Sequence, residues 1–207
     1  FTRRCFICET MRLRQIIKMW LYGSCPGFAG SFPYFGTKVY FPKKSFLFKL
    51  ACQQGIYEME NLNFLLSLIQ PGTTYFDVGA NIGLMSIPIL QKYESCQVVS
   101  FEPSPNGFRD TKRANTNQKI SVPVTTLDLE WEALGKPTVS LIKIDVEGAE
   151  LDTLKGATQF LLRDKPYILL EWNALNLKAY GCPTDSLLTF AERIEYRVYS
   201  LPSLVNI

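Results

Sequence analysis

The chain has 207 residues, 47% of them hydrophobic, which suits one domain or one domain with an extension. Its net charge of +3 gives no case for a nucleic-acid binder, and its complete lack of histidine removes the usual zinc ligand and the usual catalytic base. No apolar run approaches the roughly 18–20 residues that span a bilayer, and Arg12, Arg14 and Lys18 interrupt the one near the start, so neither a membrane span nor a signal peptide is expected.

Residues 1–50 hold nine Lys and Arg against one acid, Glu9, a net of +8. The remaining 157 hold 13 basic and 18 acidic residues, a net of −5. This asymmetry predicts a basic extension, residues 1–54, ahead of a mildly acidic domain at 55–207. Within the extension, residues 9–22 read as a short basic helix, with Met11, Leu13, Ile16, Ile17, Trp20 and Leu21 on a broad apolar face. That face is expected to cover core or meet a second copy, with a weak membrane-surface contact as the remaining option. Glycines and prolines between Gly23 and Gly36 then break regular structure, and residues 37–48 suggest a strand or hairpin held at an edge by Pro42.

The six cysteines (Cys5, Cys8, Cys25, Cys52, Cys96 and Cys182) contain a single CxxC and no second ligand pair. They read as reduced packing residues of a cytoplasmic protein, with no metal site. A start at Phe1 and a stop soon after a strand give the chain the look of a piece, or the ordered part, of a longer protein.

Residues 58–70 predict an amphipathic helix stopped by Pro71-Gly72. From there strands and helices alternate: strand 73–78, helix 82–93, strand 97–102, helix 105–117, strand 139–145, helix 148–163, strand 167–172, helix 185–194 and strand 196–201. Continuous apolar strands alternating with helices predict an α/β fold, a doubly wound and mostly parallel sheet covered on both faces.

Four of these strands end in an acid: Asp77, Glu102, Asp145 and Glu171. Ligands of an open parallel sheet bind outside the carboxyl ends of its strands, so the four acids predict an anionic crevice there. The first turn, Asp77-Val78-Gly79-Ala80-Asn81-Ile82-Gly83, has glycines that permit a tight loop close to a ligand. It is not a dinucleotide fingerprint, because Asn81 and Leu84 stand where GxGxxG needs glycine, and Asp77 would repel a pyrophosphate. The acid suits S-adenosylmethionine, which carries a sulfonium and an ammonium but no phosphate, while loop amides hold its carboxylate. Glu102, 19 residues beyond Gly83, is placed to accept hydrogen bonds from both ribose hydroxyls.

The next turn reads Lys143-Ile144-Asp145-Val146-Glu147-Gly148-Ala149-Glu150. With it the chain resembles the FkbM-type methyltransferases, whose motifs match Asp77–Gly83, Phe101-Glu102-Pro103, Val122–Asp128, Ile142–Glu150 and Leu154–Ala157 in order, with a further likeness at Gly55–Glu58. The resemblance spans roughly residues 55–200. It implies a Rossmann-like methyltransferase fold and methyl transfer from S-adenosylmethionine to a hydroxyl of a sugar, polyketide or similar small metabolite. The cofactor set is then Asp77, Gly79, Asn81, Gly83, Glu102, Pro103 and Asp145, with Tyr57 and Glu58 closing over the methionine end. Methyl transfer is an in-line displacement that needs the acceptor oxygen held about 3 Å from the methyl carbon. Without histidine, any base is a carboxylate or lysine: Asp145 first, Glu147 second, with Lys143 alongside on the same strand face. Glu171 either orients the acceptor or merely ends its strand.

Two other readings remain. One is a non-catalytic cofactor-binding or interaction module on a degenerate methyltransferase fold. The other is a nicotinamide-dependent oxidoreductase, opposed by the missing GxGxxG. A nucleic-acid methyltransferase is opposed by the acidic second part. The resemblance also implies a third strand, which normally supplies adenine contacts. Residues 118–121 are too few for it, since a strand averages about 5–6 residues. Either the element is lost, or residues are left out and some Cα atoms between Asn115 and Val122 lie beyond the roughly 3.8 Å of a trans link.

Overall fold

The computed structural model describes residues 13, 17, 20, 30–41, 56–103 and 121–206. In chain order the elements are β1 (Gly30–Tyr34), β2 (Thr37–Phe41), α1 (Met59–Leu68), β3 (Thr74–Val78), α2 (Ser86–Lys92) and β4 (Gln97–Phe101). They continue as α3 (Leu127–Ala133), β5 (Val139–Ile144), α4 (Glu150–Lys155), α5 (Thr158–Asp164), β6 (Tyr167–Leu170), α6 (Ala174–Ala179), α7 (Ser186–Arg193), β7 (Tyr199–Ser200) and β8 (Val205–Asn206).

Strands β3 and β5 are buried at every position, as central strands covered on both faces should be. They form the middle of a parallel sheet ordered β4-β3-β5-β6. The side-chain period of two divides the core into two layers. Phe76, Val78, Ile142 and Ile144 pack with Leu127, Trp131, Leu154, Phe160 and Phe190 on one side. Tyr75 and Leu141 pack with Leu62, Leu65, Met85 and Ile89 on the other. The chain therefore has the doubly wound, Rossmann-like α/β fold that its alternating pattern predicts.

The β1–β2 hairpin adds a third cluster, in which Tyr34, Val39 and Phe41 bury Leu84. The Tyr34 hydroxyl donates to the Leu84 carbonyl at 2.9 Å. The hairpin thereby braces the segment that follows the glycine loop. Leu13, Ile17 and Trp20 are helical and exposed, and the rest of the segment 9–22 lies outside the described residues. So do the helix expected at 105–117 and the Asn115–Ile120 part of the region where a chain gap was expected. Among the described residues β4 is the sheet edge on its side, no helix is long and apolar enough to cross a membrane, and Cys96 and Cys182 are unbridged.

The structure differs from the expected elements in five places, one of them β1, which lies in the Gly23–Gly36 stretch where glycines and prolines were expected to break regular structure. The helix expected at 148–163 is two helices, α4 and α5, because Asp128 reaches between them. Its carboxylate accepts from the amides of Gln159 (3.0 Å) and Phe160 (3.2 Å), which starts α5 afresh. The strand expected at 196–201 does not join the parallel sheet; Tyr199–Ser200 pairs antiparallel with Val205–Asn206. Burial alternates from Tyr196 to Ser200, which suits a one-sided hairpin rather than a covered strand. Helix α3 starts at Thr126, whose side chain accepts from the Leu129 amide at 3.3 Å, and α6 at Asn173, which accepts from Leu175 at 2.9 Å. Neither helix follows from apolar periodicity alone.

Asp128 is 8% exposed, so truncating it strands two amides at a helix start. Asp128→Ala is expected to lower unfolding free energy by about 1–3 kcal/mol in urea titration. A loss within about 0.5 kcal/mol, typical of a surface change, would remove this clamp from the account.

Candidate active site

The strand register fixes the site. Val78 pairs with Phe101 and with Ile144, and Ile144 pairs with Leu170. The residues that follow, Gly79, Glu102, Asp145 and Glu171, therefore stand in one row across the carboxyl edge of the sheet. Backbone bonds extend the row past the strands: the Gly79 amide donates to Phe101 (2.9 Å), Asp145 to Val78 (3.0 Å) and Glu171 to Ile144 (3.1 Å).

Gly79 has φ +80°, and a Cβ placed there would lie 1.8 Å from the Asp145 carbonyl oxygen. The glycine loop thus lies directly against the end of β5, a contact that no larger residue allows. Asn81 adopts a left-handed φ of +49° and donates its amide to Glu102 Oε2 at 2.9 Å, which anchors that exposed carboxylate. The amides of Ala80 and Gly83 also donate within the protein, to Phe101 and Ala80. In this arrangement the loop amides of Gly79, Ala80, Asn81 and Gly83 hold the loop and Glu102 rather than an external carboxylate. Pro103 is exposed beside Glu102.

Asp77 stands two residues inside the row and is fully buried. Its register partners are Ser100 and Lys143, and the Ser86 hydroxyl donates to its Oδ2 at 2.6 Å while touching Ser100 Oγ at 3.0 Å. Burial pushes the Asp77 carboxyl up, against the opposing pull of Lys143 and Ser86. Its influence on a ligand in the crevice passes through Lys143. That ammonium, on a residue 7% exposed, donates to Asp145 Oδ2 at 3.0 Å. Lys143 therefore sits between a buried acid and a half-buried one. Ser86 and Ser100 are site-building residues that the sequence motifs do not mark; only the register identifies them.

Asp145 is itself touched by Glu171, which lies exposed on the next strand end. The contact with Asp145, then burial and the nearby Glu147 and Glu58, push the Glu171 carboxyl up to about 7. Glu147 takes a left-handed φ of +57°, and its Oε2 accepts from Asn176 Nδ2 at 3.2 Å, tying it to α6. Glu58, at φ +45°, accepts from Asn61 at 3.2 Å. Burial, then Glu58, drive the Tyr57 hydroxyl well up, so it remains neutral and able to donate. Left-handed non-glycine residues cost free energy and gather where function holds them. Here three of them, at 58, 81 and 147, border one crevice.

The predicted residues thus converge, apart from Asp77, which underlies the crevice rather than lining it. Around it, among the described residues, stand carboxylates at 58, 102, 145, 147 and 171, and the Lys143 ammonium is spent on Asp145. Among the described residues no group of three or more Cys, Asp or Glu is placed to hold a metal ion.

Residues 107–198 match the family model described as the methyltransferase FkbM domain. A stretch of 76 residues is 33% identical to the hexuronic acid methyltransferase AglP of Haloferax volcanii, covering 37% of this chain and 31% of that protein. The chain thus spans under a third of that curated relative. No solved structure matches. The family match takes in Asp145, Glu147 and Glu171 but begins after the glycine loop.

Gly79 and Gly83 have nearly the same φ, yet a Cβ on Gly83 meets nothing closer than 3.9 Å. Gly83→Ala is expected to cost about 1–2 kcal/mol from backbone strain alone. Gly79→Ala should cost clearly more in the same urea unfolding assay. Equal losses would mean that the loop does not lie against Asp145.

Proposed function

We propose that this chain, whose residues 107–198 match the methyltransferase FkbM domain model, is a methyltransferase that moves a methyl group from S-adenosylmethionine to a hydroxyl oxygen of a small acceptor such as a sugar, polyketide-like compound or other metabolite. The observation that carries the reading is the row of Gly79, Glu102, Asp145 and Glu171 across one sheet edge, fixed by the register. A phosphate-bearing cofactor fits this edge poorly, because the described residues offer it carboxylates and a lysine already paired. A sulfonium with an ammonium group fits it well, since both positive centres meet acids. The glycine loop lies directly against the backbone of Asp145 at this edge.

Within this reading, Glu102 accepts from the ribose hydroxyls, beside Asn81 and Pro103. Gly79 and Gly83 shape the floor, and Asp77 backs it from below. Tyr57 and Glu58 enclose the amino-acid end. Asp145, Lys143 and Glu147 form the acceptor side. When bound, S-adenosylmethionine supplies an electrophilic methyl group on sulfur. The protein contributes alignment, exclusion of water and a place for the acceptor's proton. The name of the archaeal relative, a hexuronic acid methyltransferase, supports a sugar-like acceptor.

Calorimetry with S-adenosylmethionine and S-adenosylhomocysteine is expected to show binding, weakened by about 1–3 kcal/mol in Glu102→Ala through the lost charged hydrogen bonds. Unchanged affinity in that variant would sink the ribose assignment. Incubation with cofactor and a panel of hydroxylated metabolites, followed by mass spectrometry, should then show the gain of one methyl group. Absence of any cofactor binding would favour the non-catalytic module instead.

A further inference from the structure

Helix α6 leaves the end of β6 and reaches across to the turn that leaves β5, and both of its ends are fastened. Asn173, two residues after Glu171, starts it by accepting from the Leu175 amide at 2.9 Å. Beyond its end, the Thr184 carbonyl accepts from Trp172 Nε1 at 3.3 Å, which returns the chain to the end of β6.

Asn176 and Tyr180, one helical turn apart, both meet the turn after β5. Asn176 Nδ2 donates to Glu147 Oε2 at 3.2 Å. The Tyr180 ring lies on Gly148, where a Cβ would stand 2.5 Å from Tyr180 Cδ2 and 3.0 Å from the Asn176 carbonyl oxygen. Gly148 also has φ +118°, so conformation and space both keep a side chain out of this position. The aromatic ring is thereby seated against backbone, three residues from Asp145.

The packing leaves the binding capacity of this wall unused. Tyr180 remains 62% exposed, and its hydroxyl keeps no hydrogen-bond partner among the described residues. The bond between Asn176 and Glu147 occupies Nδ2 and Oε2 alone. Among the described residues, Asn176 Oδ1 and Glu147 Oε1 accept from nothing. An aromatic face and two acceptor oxygens therefore stand together on a fixed backbone beside the row.

We propose that Tyr180, Glu147 and Asn176 form the acceptor subsite, and that it takes a sugar ring. The inference rests on the methyl-transfer reading above and narrows its acceptor class. A pyranose has a face of C–H bonds and a rim of hydroxyl donors. The C–H bonds, slightly positive, match the negative face of the Tyr180 ring. Two neighbouring hydroxyls donate to Glu147 Oε1 and Asn176 Oδ1, which need partners once water is displaced. Tyrosine supplies such contact area at low conformational cost, because two torsions fix it. An extended polyketide-like chain has no flat C–H face with a matching rim of donors, so it meets only part of this wall. The subsite positions the acceptor and takes no part in the bond changes.

The test uses the full chain saturated with S-adenosylhomocysteine. The probes are the methyl pyranosides of glucose, galactose, mannose and glucuronic acid, read by saturation-transfer NMR. At least one is expected to bind, with the strongest transfer at C–H protons of one ring face. Tyr180→Ala should weaken that binding at least about fivefold, whereas Tyr180→Phe should keep it within about twofold. Asn176→Ala should weaken it as well, through the lost acceptor. All three variants should hold S-adenosylhomocysteine as the wild type does, which a merely structural loss would not allow. Binding of no glycoside overturns the subsite, and so does binding that Tyr180→Ala leaves unchanged. A Tyr180→Ala loss shared equally by S-adenosylhomocysteine also overturns it, since the ring would then be a structural prop of the crevice. A wild type that does not bind S-adenosylhomocysteine overturns the methyl-transfer reading, and the subsite with it.

Discussion

Lys143 is buried in the middle of the sheet, and the register places it opposite Asp77 and two residues before Asp145. A buried ammonium without anions nearby would shed its proton or destabilise the fold by several kcal/mol, so its two acidic neighbours are a condition of the packing. The same condition builds the crevice. Asp77, raised by burial, needs the lysine; Asp145, half in water, takes its hydrogen bond. The charge of the interior is thereby delivered to the sheet edge as an oriented carboxylate. The neighbouring strand then lays Glu171 against it.

Packing and chemistry meet again at Gly79. The loop can reach over the end of β5 only because nothing projects from its first turn, and the contact is with backbone, which cannot swing aside. Glu102 is held by the Asn81 amide, so the ribose-binding candidate is set by the loop rather than by its own strand alone. The brace from the β1–β2 hairpin, through Tyr34 to the Leu84 carbonyl, sits just beyond this loop. Segments distant in sequence therefore fix one small surface. Such a surface can align reactants closely enough for positioning to supply much of the rate.

The far layer works by different means. Its helices are short, and several begin on a side-chain acceptor: Thr126 for α3, Asn173 for α6 and Asp128 for α5. Packing against Phe76, Ile142 and Ile144 stabilises α3, α4, α5 and α7 more than their own length can, since helices below about 12–15 residues are marginal alone. This leaves α6 free to carry Asn176, which restrains Glu147 at the rim.

By itself the sequence determined the layering and the site's location. Uninterrupted apolar runs at Thr74–Val78 and Val139–Ile144 can be satisfied only by a sheet covered on both faces, and the acids after them must then emerge at one edge. The turn residues Gly79, Asn81 and Gly83 were legible because positive φ and close approach are demands that few residue types meet. What only tertiary structure decided is which acids face water and which partner they keep. Asp77 and Glu102 look alike as strand-end acids, yet a two-residue difference in register buries the first and exposes the second. The pairing of Lys143 with Asp145, the tether from Glu147 to Asn176 and the contact of Glu171 with Asp145 all join separate elements. Such contacts depend on the distance between strands and on the surrounding dielectric, and these quantities do not exist until the chain has folded.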